Sequence, residues 1–252
     1  MEKRKLKAPP KDSVLRLVLT AMFAAICFVV LMFRIPIADQ FVHAGNAVCI
    51  LAALLLGGWQ GGLAGAIGMG LNDLFFYPSS VIKTLVLKLG IGLFTGLIFH
   101  YGRTHPNRSP RVGLGVASVV SLASGAVVLG IYLQNGDYGN KLLIPSIFLL
   151  ILGGVLAVVL TVSFFVSSFS HDILYALFGA TIGVAFNVAG EFIWKFVENL
   201  LTGLTVGGAV AATLVKIPAT FLNGSFSVFL AVLLYLPVRT ALQKAKLGSM
   251  LA

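Results

Sequence analysis

"LAALLLGGWQGGLAGAIGMGLNDLF", residues 51–75, reads as two apolar helices folded back on each other. Only "GGWQGG" separates an apolar run over 45–58 from a second over 61–77. The first run is short for a hydrocarbon core of about 30 Å at about 1.5 Å of rise per residue. The two are therefore expected to form a tight helical hairpin that need not reach both membrane surfaces. Gly57, Gly61 and Gly65 recur at every fourth position, as do Gly58 with Gly62 and Ala64 with Gly68. This is the small-xxx-small pattern that lets helix backbones approach closely in lipid, and packing is its expected role.

The rest of the chain has the same character. Of its 252 residues 58% are hydrophobic and only 10% are charged, and the mean hydropathy is +1.01. Those values exclude an ordinary soluble domain, where about 25% of residues are charged, and imply an all-α, polytopic membrane bundle forming a single membrane domain over 1–252. Polar breaks place about eight spans, near 14–34, 45–58, 61–77, 80–102, 112–133, 143–168, 172–198 and 207–238. The basic N-terminal head precedes an apolar run too long for a signal peptide, so the first span is read as uncleaved. Cys27 and Cys49 lie inside apolar runs and are expected to act as small hydrophobes.

The net charge of +10 does not point to nucleic acid, because the basic residues cluster at span ends rather than along an aromatic-interleaved surface. They report orientation instead. Lys3, Arg4, Lys5, Lys7, Lys11, Arg16, Arg103, Arg108, Arg111, Arg239, Lys244 and Lys246 fall on one side if the span count is even. The positive-inside rule makes that side cytoplasmic, with both termini. Asp39, Asp73, Asp137 and Glu198 then lie toward the outside.

Ionisable groups at depth cost roughly 2.5 to 3.5 kcal/mol each on insertion scales and persist where they line a cavity or pair. Lys88 is about eight residues into its span, too deep for easy snorkelling, and shares a helix face with Thr84. Lys83, nearer the surface, reads as an interfacial anchor. Asp73, after Asn72, is either a ligand contact or the ion-pair partner of Lys83 or Lys88. In "NVAGEFIWKFVEN", 187–199, Glu191 and Lys195 can neutralise each other with Trp194 as neighbour. In "TLVKIPATFLNGSFSVF", 213–229, Lys216 precedes Pro218, which is expected to kink a helix beside Asn223. No metalloprotease, nucleophile-elbow or phosphate-loop motif occurs, and the four histidines are scattered. No enzyme activity, catalytic residue, metal site or cofactor is expected.

Taken in order, "LTAMFAAICFVV", "FVHAGNAVCILAALLLGGWQGGLAGAIGMGLNDLF", "TLVLKLGIGLFTGLIF" and "VKIPATFLNGSFSVFLAVLLY" resemble the S component of energy-coupling factor (ECF) vitamin transporters, in the riboflavin-transporter-like branch. The resemblance covers 14–102 and 172–240. It implies a six-span protein that captures a vitamin-like small molecule at its outer face. A membrane coupling subunit and two ATPase subunits of an ECF module would power import. It further implies that Ala21 and Ala25 form the docking face for the coupling subunit, and that the loop from Ile35 to Asn46 closes over the ligand. The implied substrate-binding set is Phe41, His43, Asn46, Asn72, Asp73, Thr84, Lys88, Asn187, Glu191, Trp194, Lys216 and Asn223. Two apolar spans over 112–168 are additional to the six-helix pattern.

Two other classes compete with that reading. A stand-alone secondary transporter would use Asp73 or Glu191 as a proton-coupling carboxylate, but the chain shows no internal repeat. A membrane scaffold protein would use the glycine-rich faces alone and leaves the deep charges without a purpose. The sequence does not choose among riboflavin, pyridoxine, hydroxymethylpyrimidine and a queuosine precursor as ligand.

Overall fold

A computed structural model describes residues 11–37, 40–134, 140–165, 171–245 and 247. Lys3, Arg4, Lys5, Lys7, Asp39, Asp137 and Lys246 lie outside the described residues. The elements run α1 (Lys11–Val30), β1 (Ile35–Ile37), β2 (Gln40–Val42), α2 (Gly45–Leu56), α3 (Gly58–Phe76), α4 (Val81–Thr104), α5 (Arg111–Gln134), α6 (Asn140–Phe165), α7 (His171–Leu201), α8 (Val206–Leu214) and α9 (Ile217–Lys244). Short 3-10 turns, Leu31–Phe33 and Pro78–Ser80, follow α1 and precede α4. The chain is a polytopic helical bundle, with six helical segments among the described residues long and apolar enough to span a membrane.

The expected count of about eight is approximate: α2 is too short to qualify by length, and α3, with 19 residues, is long enough but diluted by glycine, Asn72 and Asp73. Helix α2 has 12 residues, about 18 Å of rise against a core of about 30 Å. It is apolar on all sides because it is buried on all sides: Cys49, Ile50, Ala52, Leu54 and Leu55 are each at most 1% exposed. It sits inside the bundle, packed by α1, α3, α4 and α9. The turn to α3 is also tighter than "GGWQGG" suggested. Gly57 alone makes it, at φ 100°, a conformation only glycine adopts freely, and Trp59 and Gln60 already belong to α3. The eighth expected span divides into α8 and α9 at Val215 and Lys216, just before Pro218.

Helix α3 is the hub, and its small residues serve three neighbours. Gly61 and Gly65 lie against Ala53 and Cys49 of α2. Gly58 and Gly62 lie against Gly96 and Gly92 of α4, and Gly68 lies against Ala24 and Cys27 of α1. A Cβ at any of these positions would fall on a neighbouring atom. Helix α4 continues the chain of contacts to α7, where Gly179 and Gly183 rest on the backbone of Thr95 and Ile91. Helices α5 and α6 pack on each other, reaching the rest mainly through α6 on α9 and α5 on α7.

The two ends of the bundle differ. At one, the His171 ring hydrogen-bonds the Arg108 carbonyl at 2.8 Å and Arg239 pairs with Asp172 at 2.7 Å. That end also carries Arg103 and Arg111. At the other, the C-termini of α1, α3 and α7 meet the N-termini of α2, α4 and α9 around a polar cavity.

The glycine contacts predict opposite signs for one substitution at two sites. Gly92→Ala drives a methyl into the Gly62 backbone and should lower unfolding stability by about 1 to 3 kcal/mol. Gly154→Ala on α6, where nothing lies within 4 Å, should be neutral or raise it by up to about 1 kcal/mol. Thermal denaturation of the two purified variants checks the pair.

Candidate ligand-binding site

The cavity has two lobes. The larger, about 300 Å³, lies among Leu31, Arg34, Phe41, Met69, Asp73, Tyr77, Ser80 and Thr84. The smaller, about 110 Å³, lies among Asn46, Asn187, Lys195, Ala219, Thr220 and Asn223. Phe41, His43, Lys83, Lys88 and Glu191 border both. Nine of the expected site residues are thus brought together, from β2, α2, α3, α4, α7 and α9 and the segment before α2.

Helical spacing explains why these residues meet. On α4, Thr84 and Lys88 stand one turn apart, and on α7 Asn187, Glu191 and Lys195 form a stripe at every fourth position. The two stripes face each other across the α4–α7 contact. Lys88 Nζ donates to Asn187 Oδ1 at 2.9 Å. Lys83 Nζ reaches Glu191 Oε2 at 3.3 Å, and Lys195 Nζ approaches the same oxygen at 3.8 Å. The expected Glu191–Lys195 pairing is therefore shared. Lys83 faces inward as a cavity residue instead of anchoring at the interface, because Glu191 offers it a carboxylate.

Asp73 pairs with neither lysine. Its Oδ2 accepts from the Thr84 hydroxyl. Asn72, one residue earlier and so about 100° around the helix, turns away from the cavity. It is fully buried, and neither amide atom has a hydrogen-bond partner among the described residues. Two further expected residues lie elsewhere. Trp194 donates its indole N–H to Glu198 on the outer side of α7. Lys216 caps the start of α9 with its side chain exposed.

The sequence reading missed Arg34. Its guanidinium carbon lies 5.2 Å from the ring centre of Phe41, 5.6 Å from that of Phe76 and 5.0 Å from that of Tyr77. This cation–π cage is assembled from three separate segments. The β1–β2 hairpin, with Ile35 opposite Val42 and Pro36 opposite Phe41, brings Phe41 to it.

His43 fixes the loop to the bundle. Its backbone N–H donates to Asn223 Oδ1 at 3.1 Å. Its Nδ1 accepts from the Gly45 N–H at 3.2 Å, and its Nε2 faces the Asn223 amide nitrogen at 3.3 Å. Protonation would put a hydrogen on Nδ1, against the Gly45 N–H. Burial, followed by the positive charges of Lys88 and Arg34, pushes its pKa down to about 3.

The cavity lies at one end of the bundle, beside the β1–β2 hairpin, with Lys83 and Lys88 among its lining residues. The model of the ECF-type riboflavin transporter S component family matches residues 11–168. The chain belongs to that family. The matched stretch runs from α1 through α6, so it includes the α5–α6 pair that the sequence reading set apart, and ends before α7. A Pyrococcus woesei protein, described as an uncharacterized protein in the gap 3′ region, is 34% identical over 109 residues, covering 42% of this chain and 73% of that protein. No solved structure matches. The family is one of membrane transport subunits and not an enzyme class. Membership implies a small-molecule substrate and membrane-embedded ECF partners.

His43 makes the pH dependence predictable in sign. An unfolded histidine takes up a proton below about pH 6.5, whereas the folded one stays neutral to about 3. Stability should therefore fall as pH drops from about 6.5, with this residue contributing a slope approaching 1.4 kcal/mol per pH unit. Denaturation midpoints between pH 7.5 and 5 for wild type and His43→Gln should show a shallower slope in the variant.

Proposed function

We propose that this protein is the substrate-capturing S component of an ECF-type importer, taking a vitamin or vitamin-precursor heterocycle into the two-lobed cavity from the outside of a prokaryotic plasma membrane. A membrane coupling subunit and two ATPase subunits supply the energy for release inward. The observation that carries this reading is the cavity at the end of the bundle opposite Arg103, Arg108, Arg111 and Arg239. The positive-inside rule puts those arginines in the cytoplasm and so opens the cavity outward.

The lining suits a flat polar molecule. Phe41 and Tyr77 offer aromatic faces in the larger lobe, while Thr84, Asn187 and Asn223 offer hydrogen bonds at its edges. A volume of about 300 Å³ is at the lower end of the range for small-molecule sites. The β1–β2 hairpin carries Phe41 over the cavity and is tied to α9 through His43 and Asn223, so it can register an occupied site. Neither α5 nor α6 contributes a lining residue, which supports a capture core of α1–α4 and α7–α9 with α5 and α6 at its side.

The docking face for the coupling subunit is assigned to α1. Ala21 and Ala25 are exposed on it, one turn apart, whereas Ala24 is buried under Gly68. Two small residues one turn apart on a lipid-exposed face leave a groove for a partner helix.

Capture and import should then separate experimentally. Ala21→Leu combined with Ala25→Leu should abolish uptake of the substrate by cells while leaving its binding to the purified protein unchanged. Lys88→Ala should weaken binding itself, by about 5- to 150-fold, the range for leaving a buried polar group unpaired. Uptake at the wild-type level in the double leucine variant would exclude α1 as the docking face. Unchanged affinity in Lys88→Ala would exclude the cavity as the capture site.

A further inference from the structure

The smaller lobe is built unlike the larger one. Three ammonium groups, from Lys83, Lys88 and Lys195, border it together with a single carboxylate, Glu191. That carboxylate is divided between Lys83 at 3.3 Å and Lys195 at 3.8 Å. Lys88, buried, has only the neutral Asn187 amide oxygen, at 2.9 Å. Asp73 does not reach this lobe and is engaged by Thr84. Among the described residues, then, a lobe of about 110 Å³ is lined by two more basic than acidic side chains. Asn46 adds a second signal: it is 2% exposed, it lines the lobe, and its Oδ1 has no hydrogen-bond partner.

Unbalanced charge of one sign is expensive at this depth and is retained where a ligand completes it. An ammonium cluster is completed by oxygen anions through charge-assisted hydrogen bonds. The buried Asn46 oxygen is completed by an O–H or N–H of the same ligand. The volume admits a small group of a few heavy atoms and no ring system. The walls from Leu31, Met69 and Tyr77 belong to the other lobe, and Phe41 stands at the border of the two.

We propose that the ligand is bipartite: a flat ring in the aromatic lobe and a compact anionic oxygen group, a carboxylate or a phosphate, in the three-lysine lobe, with a hydroxyl or N–H beside it for Asn46. This rests on the capture reading above and narrows the substrate class to acidic heterocycles. A neutral ring compound would leave the lysine lobe uncompensated.

The test uses the full chain in lipid nanodiscs, with two kinds of probe. Inorganic phosphate and acetate, each compared with chloride at equal ionic strength, probe the lobe alone through the thermal midpoint. One of the two should raise the midpoint above chloride, and which one does so identifies the anion. Lys195→Gln should abolish the rise, since Glu191 keeps Lys83 as a partner and the fold survives. Glu191→Gln should enlarge it. A rise that persists unchanged in Lys195→Gln is a general salt effect and overturns the proposal, as does no difference between the anions and chloride. Riboflavin and riboflavin 5′-phosphate, which share a ring system, probe the complete site. The phosphorylated form should bind about tenfold or more tightly, and Lys195→Gln should remove the preference. Equal affinity for both would overturn the anion assignment and leave capture intact. Anion stabilisation that is sensitive to Lys195, with neither flavin bound, would uphold the lobe and remove flavins as substrates of the capture reading.

Discussion

Backbone contact along α3 is the constraint on which everything else rests. Without side chains at Gly58, Gly61, Gly62, Gly65 and Gly68, one helix touches α2, α4 and α1 at once. Lipid tails are as apolar as leucine, so burying apolar surface contributes little between membrane helices, and close packing has to supply the cohesion. The hub fixes the angle at which α3 and α4 leave their shared turn, and with it the positions of Asp73, Lys83, Thr84 and Lys88. Glycines on α7 repeat the device against α4, which brings Asn187 and Glu191 opposite those lysines.

Charge is the second organising quantity. Among the described residues the cavity is lined by four cations, Arg34, Lys83, Lys88 and Lys195, and two carboxylates, Asp73 and Glu191. Arg34 is accommodated by three aromatic faces, and Glu191 serves two lysines. Such sharing leaves Glu191 engaged by two ammonium groups at once. It fits a binding site whose last partner arrives with the ligand.

The hairpin of α2 and α3 was legible from its glycine spacing, and the deep charges were legible because they stand out in a chain this apolar. What could not be read was which way each residue turns. Asn72 and Asp73 are adjacent, and only the rotation of α3 decides that Asp73 lines the cavity and Asn72 is buried behind it. Lys83 looked interfacial because its partner, Glu191, is 108 positions away. Arg34 gave no signal, since its cage combines Phe41 with Phe76 and Tyr77 from the far end of α3. Lys216 and Trp194 sit near the right elements but outside the packed face, a distinction that depends on the α8–α9 break and on the outer stripe of α7. Helix α2 read as a span because a 12-residue helix enclosed by protein has the same composition as one enclosed by lipid.

On this reading the two-lobed cavity holds the ligand. Mass spectrometry of small molecules released on denaturing the purified protein tests it most directly, comparing wild type with Asn187→Leu, which should remove the amide oxygen that receives Lys88 and place apolar bulk at the small lobe. At equal folded yield, wild type is predicted to release a heterocyclic compound in stoichiometric amount and the variant to release none. The same compound released in the same amount by both proteins would contradict the assignment of this cavity as the capture site.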